Sequence, residues 1–393
     1  MQELSVDIAI FGGGIAGLWA LARLRRAGYQ AVLFEQGGIG GVQTLASQGI
    51  IHGGSKYALG GKLTDASQAI AGMPGVWRDC LAGSGELDLS GVRILSPHQY
   101  LWSTGSISSG LAGFFAGKLM RSRVQTVAAA ELPPPFDNAE FSGSLYQLQE
   151  PVLDVVSLIK VFYSQLADYC WQLPPARLRV DAAQPRGFFI ENRLRVNSRA
   201  ILLAAGAGNQ QLLGSWGRRQ PAMQQRPLHM LMLKGRLPRV YAHCLGASTS
   251  PRITITSYPL ADGNMLWYLG GQVAEQGVQR DAQAQIAAGK AELRELLPWL
   301  DTASMQWSSY RVSRAEPAMA SGKRPDDCYL QHENRLFTAW PTKLAFAPRL
   351  AGKLLVALRE QGIDAGLPED LTALHCLPVP PLSEPPWSRS VWN

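Results

Sequence analysis

The stretch SVDIAIFGGGIAGLWALARLRRAGYQAVLFE, residues 5–35, decides the fold of this chain. It opens on a short apolar run, 5–11, and closes on another, 30–35, and both runs are typical of buried parallel strands. Between them, residues 18–27 carry apolar side chains at helical spacing and stop at Gly28, a favourable helix terminator. The order strand, helix, strand predicts a βαβ unit.

A glycine turn joins the first strand to the helix. Its pattern is G-x-G-x-x-G, formed by Gly12, Gly14 and Gly17. The first glycine permits the tight turn, the second lets a pyrophosphate approach the backbone, and the third lets the helix pack on the strand. The helix start at Ile15 and Ala16 offers free N–H groups and a positive dipole to phosphates. The turn therefore predicts a dinucleotide site.

An acidic residue stands where this site needs one. Glu35 closes the second strand and is followed by Gln36. A carboxylate at this point can accept hydrogen bonds from both ribose hydroxyls, which favours an adenosine without a 2′-phosphate.

The next motif is TLASQGIIHGGSKY, residues 44–57. The hydroxyls of Thr44 and Ser47 can bond phosphate oxygens without adding charge. Gly53 and Gly54 allow the backbone to lie against a flat ring, and His52 would sit near that ring.

This loop resembles the flavin loop of the D-amino-acid oxidase family, especially its glycerol-3-phosphate dehydrogenase-like and 2-hydroxyglutarate dehydrogenase-like branches. The resemblance implies that the dinucleotide is FAD. It also implies a set of cofactor contacts on the loop: Thr44, Ala46, Ser47, Gln48, Gly49, Ile51 and His52.

Three further stretches extend the resemblance over nearly the whole chain. AAGAG at 204–208 resembles the second glycine signature of the family and implies contacts from Ala205 and Gly206. Val180 falls at the strand pair that contacts adenine in the family. TAWPTKLAFAP at 338–348 stands where the family has a glycine-rich flavin loop, and it implies contacts from three residues: Thr342, Lys343 and Leu344. The glycines are missing there, and Lys343 would add a positive charge beside the flavin.

The expected fold class is α/β, with a Rossmann-type FAD-binding domain and an inserted mixed α/β substrate domain that carries an antiparallel sheet. Alternating strand-like segments between 227 and 275 predict that sheet. The FAD-binding domain is predicted to be discontinuous, at 1–75, 150–222 and 328–376. The substrate domain takes 76–149 and 223–327, and a proline-rich tail, 377–393, is predicted to lie extended over the surface. Residues 63–72 and 152–173 are expected to be helices.

Flavin-dependent dehydrogenation needs a proton acceptor and an anchor for an anionic substrate. His52 is the first candidate, as a polar group at the ring, a proton acceptor or a covalent flavin anchor. Arg311 and Arg314 are candidate anchors because a guanidinium matches a carboxylate, although a salt bridge to Glu316 is the alternative. Lys343 and Arg252 are further cations for this role, and Tyr258 is a candidate pocket residue on the predicted sheet.

Composition limits the remaining classes. The 393 residues carry a net charge of +7 and no run of five or more like charges, which argues against nucleic acid and favours an anionic cofactor and substrate. The five cysteines are widely separated with no CxxC pair, so we expect no metal site and a reducing, cytoplasmic location. The N-terminus resembles no targeting signal and no apolar stretch reaches the roughly 18 residues of a spanning helix.

One segment keeps a membrane role open. Residues 106–123, SISSGLAGFFAGKLMRSR, combine apolar side chains with cations and could touch the acidic inner face of a membrane. A pocket lid or an ordinary packed helix is the alternative interpretation of this segment.

The sequence thus predicts an FAD-dependent enzyme that oxidises a small anionic amine or 2-hydroxy compound by hydride transfer to flavin N5. Electrons would pass to oxygen or a quinone. The alternative is a flavoprotein without turnover, in which FAD is structural and the protein serves as a binding partner.

Overall fold

The computed structural model describes residues 1–54, 70–104, 124–181, 186–246, 250–320, 322, 325–366 and 370–392. Within them the helices are α1 (Ile15–Arg26), α2 (Met73–Leu81), α3 (Val155–Leu166), α4 (Asn209–Ser215), α5 (Gln272–Gln276), α6 (Ala282–Leu296) and α7 (Ala347–Glu360). The strands are β1 (Gln2–Phe11), β2 (Ala31–Glu35), β3 (Ile94–Ser96), β4 (Gln99–Ser103), β5 (Val124–Thr126), β6 (Ser144–Leu148), β7 (Val152–Leu153), β8 (Cys170–Gln172), β9 (Leu178–Val180), β10 (Gly187–Ile190), β11 (Leu194–Leu203), β12 (Met223–Gly235), β13 (Ala242–Cys244), β14 (Thr254–Pro259), β15 (Met265–Gly270), β16 (Gln306–Pro317), β17 (Tyr329–Glu333) and β18 (Leu336–Trp340).

The first large sheet, here called the nucleotide sheet, has the strand order β17-β18-β11-β1-β2-β8, with β10 and β9 attached beside β11. Strands β18, β11, β1, β2 and β8 run parallel. The side chains of Val6, Ile8 and Ile10 on β1 are buried, as expected for a parallel strand covered on both faces. The fold class predicted from the βαβ unit is confirmed.

The second large sheet, here called the cover sheet, has the order β16-β12-β15-β14-β13-β4-β6-β5. Its strands pair antiparallel except β13 and β4, which run parallel. The predicted antiparallel sheet is therefore mixed at this one pair, because β4 comes from a different part of the chain than β12–β16.

The two faces of the cover sheet pack against different partners, because side chains alternate along a strand. On one face, Leu231 and Leu233 of β12 pack with Trp267, Trp307 and helix α6. On the other face, Met230 and Met232 pack with Tyr258, Tyr268 and with Ala46 from the 44–57 loop. This second face is the one that meets the nucleotide-binding part of the molecule.

Helix α2 crosses the expected domain boundary at residue 75. Its Trp77 packs on Trp19 of α1 with ring centroids 4.6 Å apart, and Trp77 Nε1 donates to the Ala345 oxygen at 3.0 Å. We therefore propose that the first nucleotide-binding segment extends to Leu81, with the other predicted boundaries unchanged.

The predicted long helix at 152–173 is wrong at both ends. Helix α3 begins at Val155 because the carboxylate of Asp154 caps it, accepting from the amides of Val156 at 3.0 Å and Ser157 at 3.4 Å. The chain then leaves the helix after Leu166 and adds β8 to the edge of the nucleotide sheet.

Two predictions from sequence fall largely on residues without a described structure. Most of the predicted helix at 63–72 and the amphipathic segment 106–123 lie outside the described residues. In the part of the chain that is described, no helix combines the length and apolarity needed to cross a membrane.

Candidate active site

A cavity of about 1490 Å³ lies between the nucleotide sheet and the cover sheet. This volume exceeds the 300–1,000 Å³ or so of an ordinary small-molecule pocket. Its walls come from the glycine turn, from residues 44–52 of the 44–57 loop, here called the flavin loop, and from residues 339–344. The face of the cover sheet that carries Met230 and Met232, here called the inner face, and residues 383–391 near the C-terminus complete the walls. Such a cavity has room for a dinucleotide together with a small substrate.

The glycines of the turn are required by close approach. Gly12 has φ +116°, and a Cβ there would lie 2.6 Å from the Ala204 oxygen. A Cβ on Gly17 would lie 1.9 Å from the Gly12 oxygen, so Gly17 sets the contact between α1 and the turn. Gly12 and Gly14 line the cavity, whereas Gly17 packs behind it.

Polar groups converge at the N-terminus of α1. Thr44 Oγ1 accepts from the Ile15 amide at 3.1 Å, and Glu35 Oε2 accepts from the Gly13 amide at 2.6 Å. Glu35 Oε1 also accepts from Gly37 at 2.8 Å. Together with the helix dipole, these hydroxyl and amide groups form a cradle that suits a pyrophosphate and the adjoining ribose.

The flavin loop is fastened to the cover sheet by Gln48. Its Nε2 donates to the Tyr268 oxygen at 2.8 Å and to the Thr254 oxygen at 3.2 Å. Gly49 has φ +71°, and a Cβ there would lie 2.1 Å from the Leu153 oxygen. The loop therefore occupies a fixed place between the two sheets. Ala46, Ser47, Gln48, Gly49 and His52 line the cavity, whereas Ile51 is buried in the core of the nucleotide-binding part.

His52 faces a second histidine that sequence reasoning missed. The imidazoles of His52 and His243 are stacked, with centroids 5.5 Å apart and planes 22° apart, and both line the cavity. Glu150 is buried and places Oε2 3.5 Å from His52 Nδ1. Behind it, the Gln99 amide donates to the same carboxylate. His243 Nδ1 lies 2.7 Å from Thr254 Oγ1.

Residues 339–344, from the end of β18 toward the start of α7, line the cavity. Thr342 has φ +59°, the left-handed conformation that the missing glycines would adopt easily. Its Oγ1 donates to the Asp327 oxygen at 3.1 Å, which helps to hold this conformation. Lys343 lines the cavity with its Nζ 5.0 Å from the Phe346 ring centroid. Thr342, Lys343 and Leu344 therefore all lie on the cavity wall.

The two candidate anchors, Arg311 and Arg314, lie on opposite faces of β16. Arg311 also lines the cavity but is exposed, and its guanidinium donates to the backbone oxygens of Val278, at 2.6 Å, and Arg280. Arg314 is half-buried on the inner face, and its Nη2 lies 3.5 Å from Glu275 Oε1. Both arginines line the cavity, and the greater burial of Arg314 favours it over Arg311 as an anchor.

A second arginine joins Arg314 on the inner face. Arg226 of β12 is in register with Arg314 and also lines the cavity. Glu316 Oε1 lies 3.6 Å from Arg226 Nη1, and Glu275 Oε1 lies 3.5 Å from Arg314 Nη2, so each arginine has a carboxylate beside it.

Besides Gly17 and Ile51, three further predicted site residues stand away from the cavity wall. Val180 lies on β9, and nearby residues line the cavity in its place: Leu173, Pro175 and Leu178. Arg252 is held outside by Glu292 and Glu295, each at 2.9 Å. Tyr258 is buried beneath Trp387 with ring centroids 4.7 Å apart. Burial raises the pKa of the Tyr258 hydroxyl, so it keeps its proton, and the geometry does not support Tyr258 as a catalytic residue.

Other features of the cavity carry no sequence signal. His243 lies in a short apolar strand, and Glu150 lies in a connection between strands. The residues 383–391 belong to a proline-rich tail that was expected to lie on the surface, yet six of them line the cavity: Ser383, Glu384, Pro386, Arg389, Ser390 and Val391. Only the folded chain brings these groups to the cavity or to the residues that line it.

Comparison with known proteins places these features in a family. A model for the FAD dependent oxidoreductase (DAO) family matches residues 7–337. A probable FAD-dependent oxidoreductase of Pseudomonas aeruginosa is 50% identical over 391 residues, which cover 98% of each chain.

Solved structures share the same architecture. The crystal structure of the FAD dependent oxidoreductase from Pseudomonas aeruginosa matches with a TM-score of 0.85, covers 99% of both chains and is 44% identical by structural alignment. Glycine oxidase from Geobacillus kaustophilus matches with a TM-score of 0.60 at 17% identity, over 94% of this chain and 98% of that one. L-proline dehydrogenase from P. horikoshii matches with a TM-score of 0.64 at 12% identity, over 92% and 95%.

Proposed function

Because this chain belongs to the DAO family of FAD-dependent oxidoreductases, we propose that it oxidises a small anionic amine or 2-hydroxy compound within the cavity. When bound, FAD supplies the acceptor for a hydride at N5, and the electrons then pass to oxygen or a quinone. The observation that carries the proposal is the stacked pair of histidines at the end of the flavin loop, backed by a buried carboxylate.

Oxidation of a C–N or C–O bond requires loss of an N–H or O–H proton as well as a hydride. A neutral imidazole is a good acceptor for that proton near neutral pH. His52 and His243 both line the cavity, and Glu150 stands behind His52. A buried carboxylate in that place orients the imidazole and stabilises the imidazolium that forms, as the acid of a catalytic triad does.

We propose Arg314 as the anchor for the anionic group of the substrate. It is half-buried on the inner face of the cover sheet, and Arg226 beside it adds a second positive charge. Both arginines already face a carboxylate, Glu275 or Glu316, so an anionic substrate would join an existing network of charges. A guanidinium can hold a carboxylate through two parallel hydrogen bonds.

The test of the proton acceptor is an anaerobic screen of the holoprotein with amino acids, secondary amines, 2-hydroxy acids and glycerol phosphates. Loss of the oxidised flavin absorbance identifies a substrate. With that substrate, His52→Asn should slow bleaching by roughly 100-fold or more, the usual contribution of general base catalysis. Glu150→Gln should slow it less, and both variants should retain FAD. Absence of bleaching with every class would overturn the proposal and leave a flavoprotein without turnover.

The anchor is tested with a matched pair on one strand. Arg314→Ala should raise the substrate concentration for half-maximal bleaching at least about tenfold, because a charge-assisted contact is worth roughly 1.5–3 kcal/mol. Arg314→Lys should recover only part of the affinity, since an ammonium cannot make the paired bonds. Arg311→Ala, on the opposite face, is the control and should bind like the wild type. Equal effects of the two alanine variants would exclude Arg314 as the anchor.

A further inference from the structure

The C-terminal segment, residues 377–392, follows an unexpected path between the two sheets. Its Pro378 oxygen accepts from the Gln172 amide of β8 at 2.7 Å. The Pro381 oxygen then accepts from Ile39 at 2.8 Å, and the Ser383 amide donates back to the Ile39 oxygen at 3.0 Å. These bonds fasten the segment to the glycine-rich loop that follows Glu35.

This docking accounts for two of the glycines in the loop after Glu35, Gly38 and Gly41. A Cβ on Gly38 would lie 2.4 Å from Ser383 Oγ, and a Cβ on Gly41 would lie 2.9 Å from the same atom. Neither glycine needs a left-handed backbone for this contact, since the positive φ values of this loop occur at Gly40 and Val42. Gly38 and Gly41 are therefore small because the C-terminal segment lies directly against them.

Beyond Ser383 the segment crosses to the cover sheet. Trp387 packs on Tyr258 with centroids 4.7 Å apart and planes 37° apart, and approaches Tyr268 at 6.2 Å. Farther along, Ser308 Oγ donates to the Val391 oxygen at 2.6 Å, and Lys234 Nζ lies 4.3 Å from the centroid of the Trp392 ring. The segment is thus attached to the nucleotide-binding part at one end and to the inner face of the cover sheet at the other.

The stretch between these attachments lines the cavity through Ser383, Glu384, Pro386 and Arg389. Along β14, Thr254 beside the histidines and Tyr258 beneath Trp387 lie on the same face, about 13 Å apart at roughly 3.3 Å per residue. The C-terminal segment therefore closes the cavity at the end remote from the histidine pair. Five prolines, at 378, 380, 381, 385 and 386, favour an extended chain before docking and so reduce the entropy lost on ordering it.

We propose that residues 377–392 form a wall of the FAD site, anchored by Trp387, that must detach for the cofactor to enter or leave. The wall lies outside residues 7–337, the part of the chain that the family model matches. The inference depends on FAD binding and not on the proposed substrate. Trp387 acts as a positioning residue, since its indole holds the wall against Tyr258.

The experiment follows release of FAD from the full-length holoprotein by the rise in flavin fluorescence after dilution. Trp387→Ala should release FAD at least about tenfold faster than the wild type, and Trp387→Phe should restore much of the retention because a ring still packs on Tyr258. Trp299→Ala is the matched control. Its half-buried indole contacts Phe141 and the Pro135 oxygen, and neither of these residues lines the cavity.

A second measurement uses the reciprocity of linked equilibria: a wall whose contacts raise the affinity for FAD must itself be held more firmly when FAD is bound. Chymotrypsin should cut after Trp387 more slowly in the wild-type protein with added FAD than in the same protein depleted of FAD. If Trp387→Ala is too unstable to purify with flavin, this measurement on the wild type decides the question. The proposal would be overturned if Trp387→Ala released FAD as slowly as the wild type, or if Trp299→Ala released it as fast as Trp387→Ala. It would also be overturned if the rate of cleavage after Trp387 did not depend on FAD.

Discussion

A side chain added at Gly14 should disturb the cofactor cradle while the fold is retained. It lines the cavity with φ −80°, a conformation open to any residue, and an added Cβ would lie 3.2 Å from Thr44 Oγ1. Gly14→Val should therefore fold but place a branched side chain where phosphates approach the helix N-terminus, and FAD retention should be lost. The ratio of flavin to protein absorbance, with circular dichroism for the fold, measures this.

Gly352→Val in α7 is the control for that change, because a Cβ there would meet nothing within 4 Å. It introduces the same residue in a helix that lies away from the cavity wall and should keep the full flavin content. A folded Gly14→Val protein with a normal flavin spectrum would contradict the placement of the pyrophosphate.

The sequence could locate those site residues whose structural neighbours are also close to them along the chain. Gly12, Gly17 and Glu35 belong to one βαβ unit, so their spacing alone fixes their relation to the helix N-terminus. His243 and Glu150 reach His52 from other strands and connections, and their positions depend on how the cover sheet docks. Alternation along β16 did carry a usable signal, because residues three apart on a strand face opposite sides, which separates Arg311 from Arg314.

At the level of elements, helix α7 is tied to the chain before β17 by one carboxylate. Asp327 accepts from Arg349 Nε and Nη2 and from Lys353 Nζ, each at 2.8 Å. Burial alone would raise the pKa of Asp327, but the bonds from Arg349 and Lys353 outweigh it and hold the pKa below the usual 3.8. The backbone oxygen of the same residue accepts a hydrogen bond from the Thr342 hydroxyl at 3.1 Å.

Asp327→Asn should lower the free energy of unfolding by about 1–2 kcal/mol at neutral pH, a moderate value because the ion pair is partly exposed. A depressed folded pKa stabilises the protein above the unfolded value and loses that stabilisation as pH falls through the folded value. The difference between wild type and variant in urea unfolding should therefore shrink below about pH 4. A difference that stays constant from neutral to acid would show that the charge on Asp327 contributes nothing.

Elements whose apolar residues follow a single periodicity could be predicted from the sequence. An apolar run that contains two different elements could not be divided correctly. β1 and α1 follow from apolar spacing, whereas the apolar run at 152–173 continues through α3 into β8 because both are buried. The Asp154 cap is the local signal that could have set the start of α3. Proline content indicated an extended tail, but an extended segment has the same sequence pattern whether it lies in solvent or against Tyr258.

At the level of the whole molecule, the cavity exists only where the two sheets and the C-terminal segment meet. The glycine turn and Glu35 belong to the nucleotide sheet, His243 and Arg314 belong to the cover sheet, and the flavin loop lies between them. Composition and motif order indicate two domains. The shape of the space between them depends on packing between side chains that are far apart in the sequence. FAD bound in this space would contact both parts of the protein and link their stability.

Removal of FAD should therefore lower the Tm of the whole chain, by about 5 °C or more. A ligand that binds only the folded state stabilises it by RT ln(1 + [L]/Kd), roughly 2.7 kcal/mol when its concentration is 100 times Kd. In domains of 150–250 residues, about 1 kcal/mol moves Tm by roughly 2–4 °C. Scanning calorimetry of depleted and reconstituted protein measures the shift.

FMN and NADP at equal concentration should give much smaller shifts, because FMN lacks the adenosine half and Glu35 would repel a 2′-phosphate. Equal stabilisation by NADP would mean that Glu35 does not face the ribose.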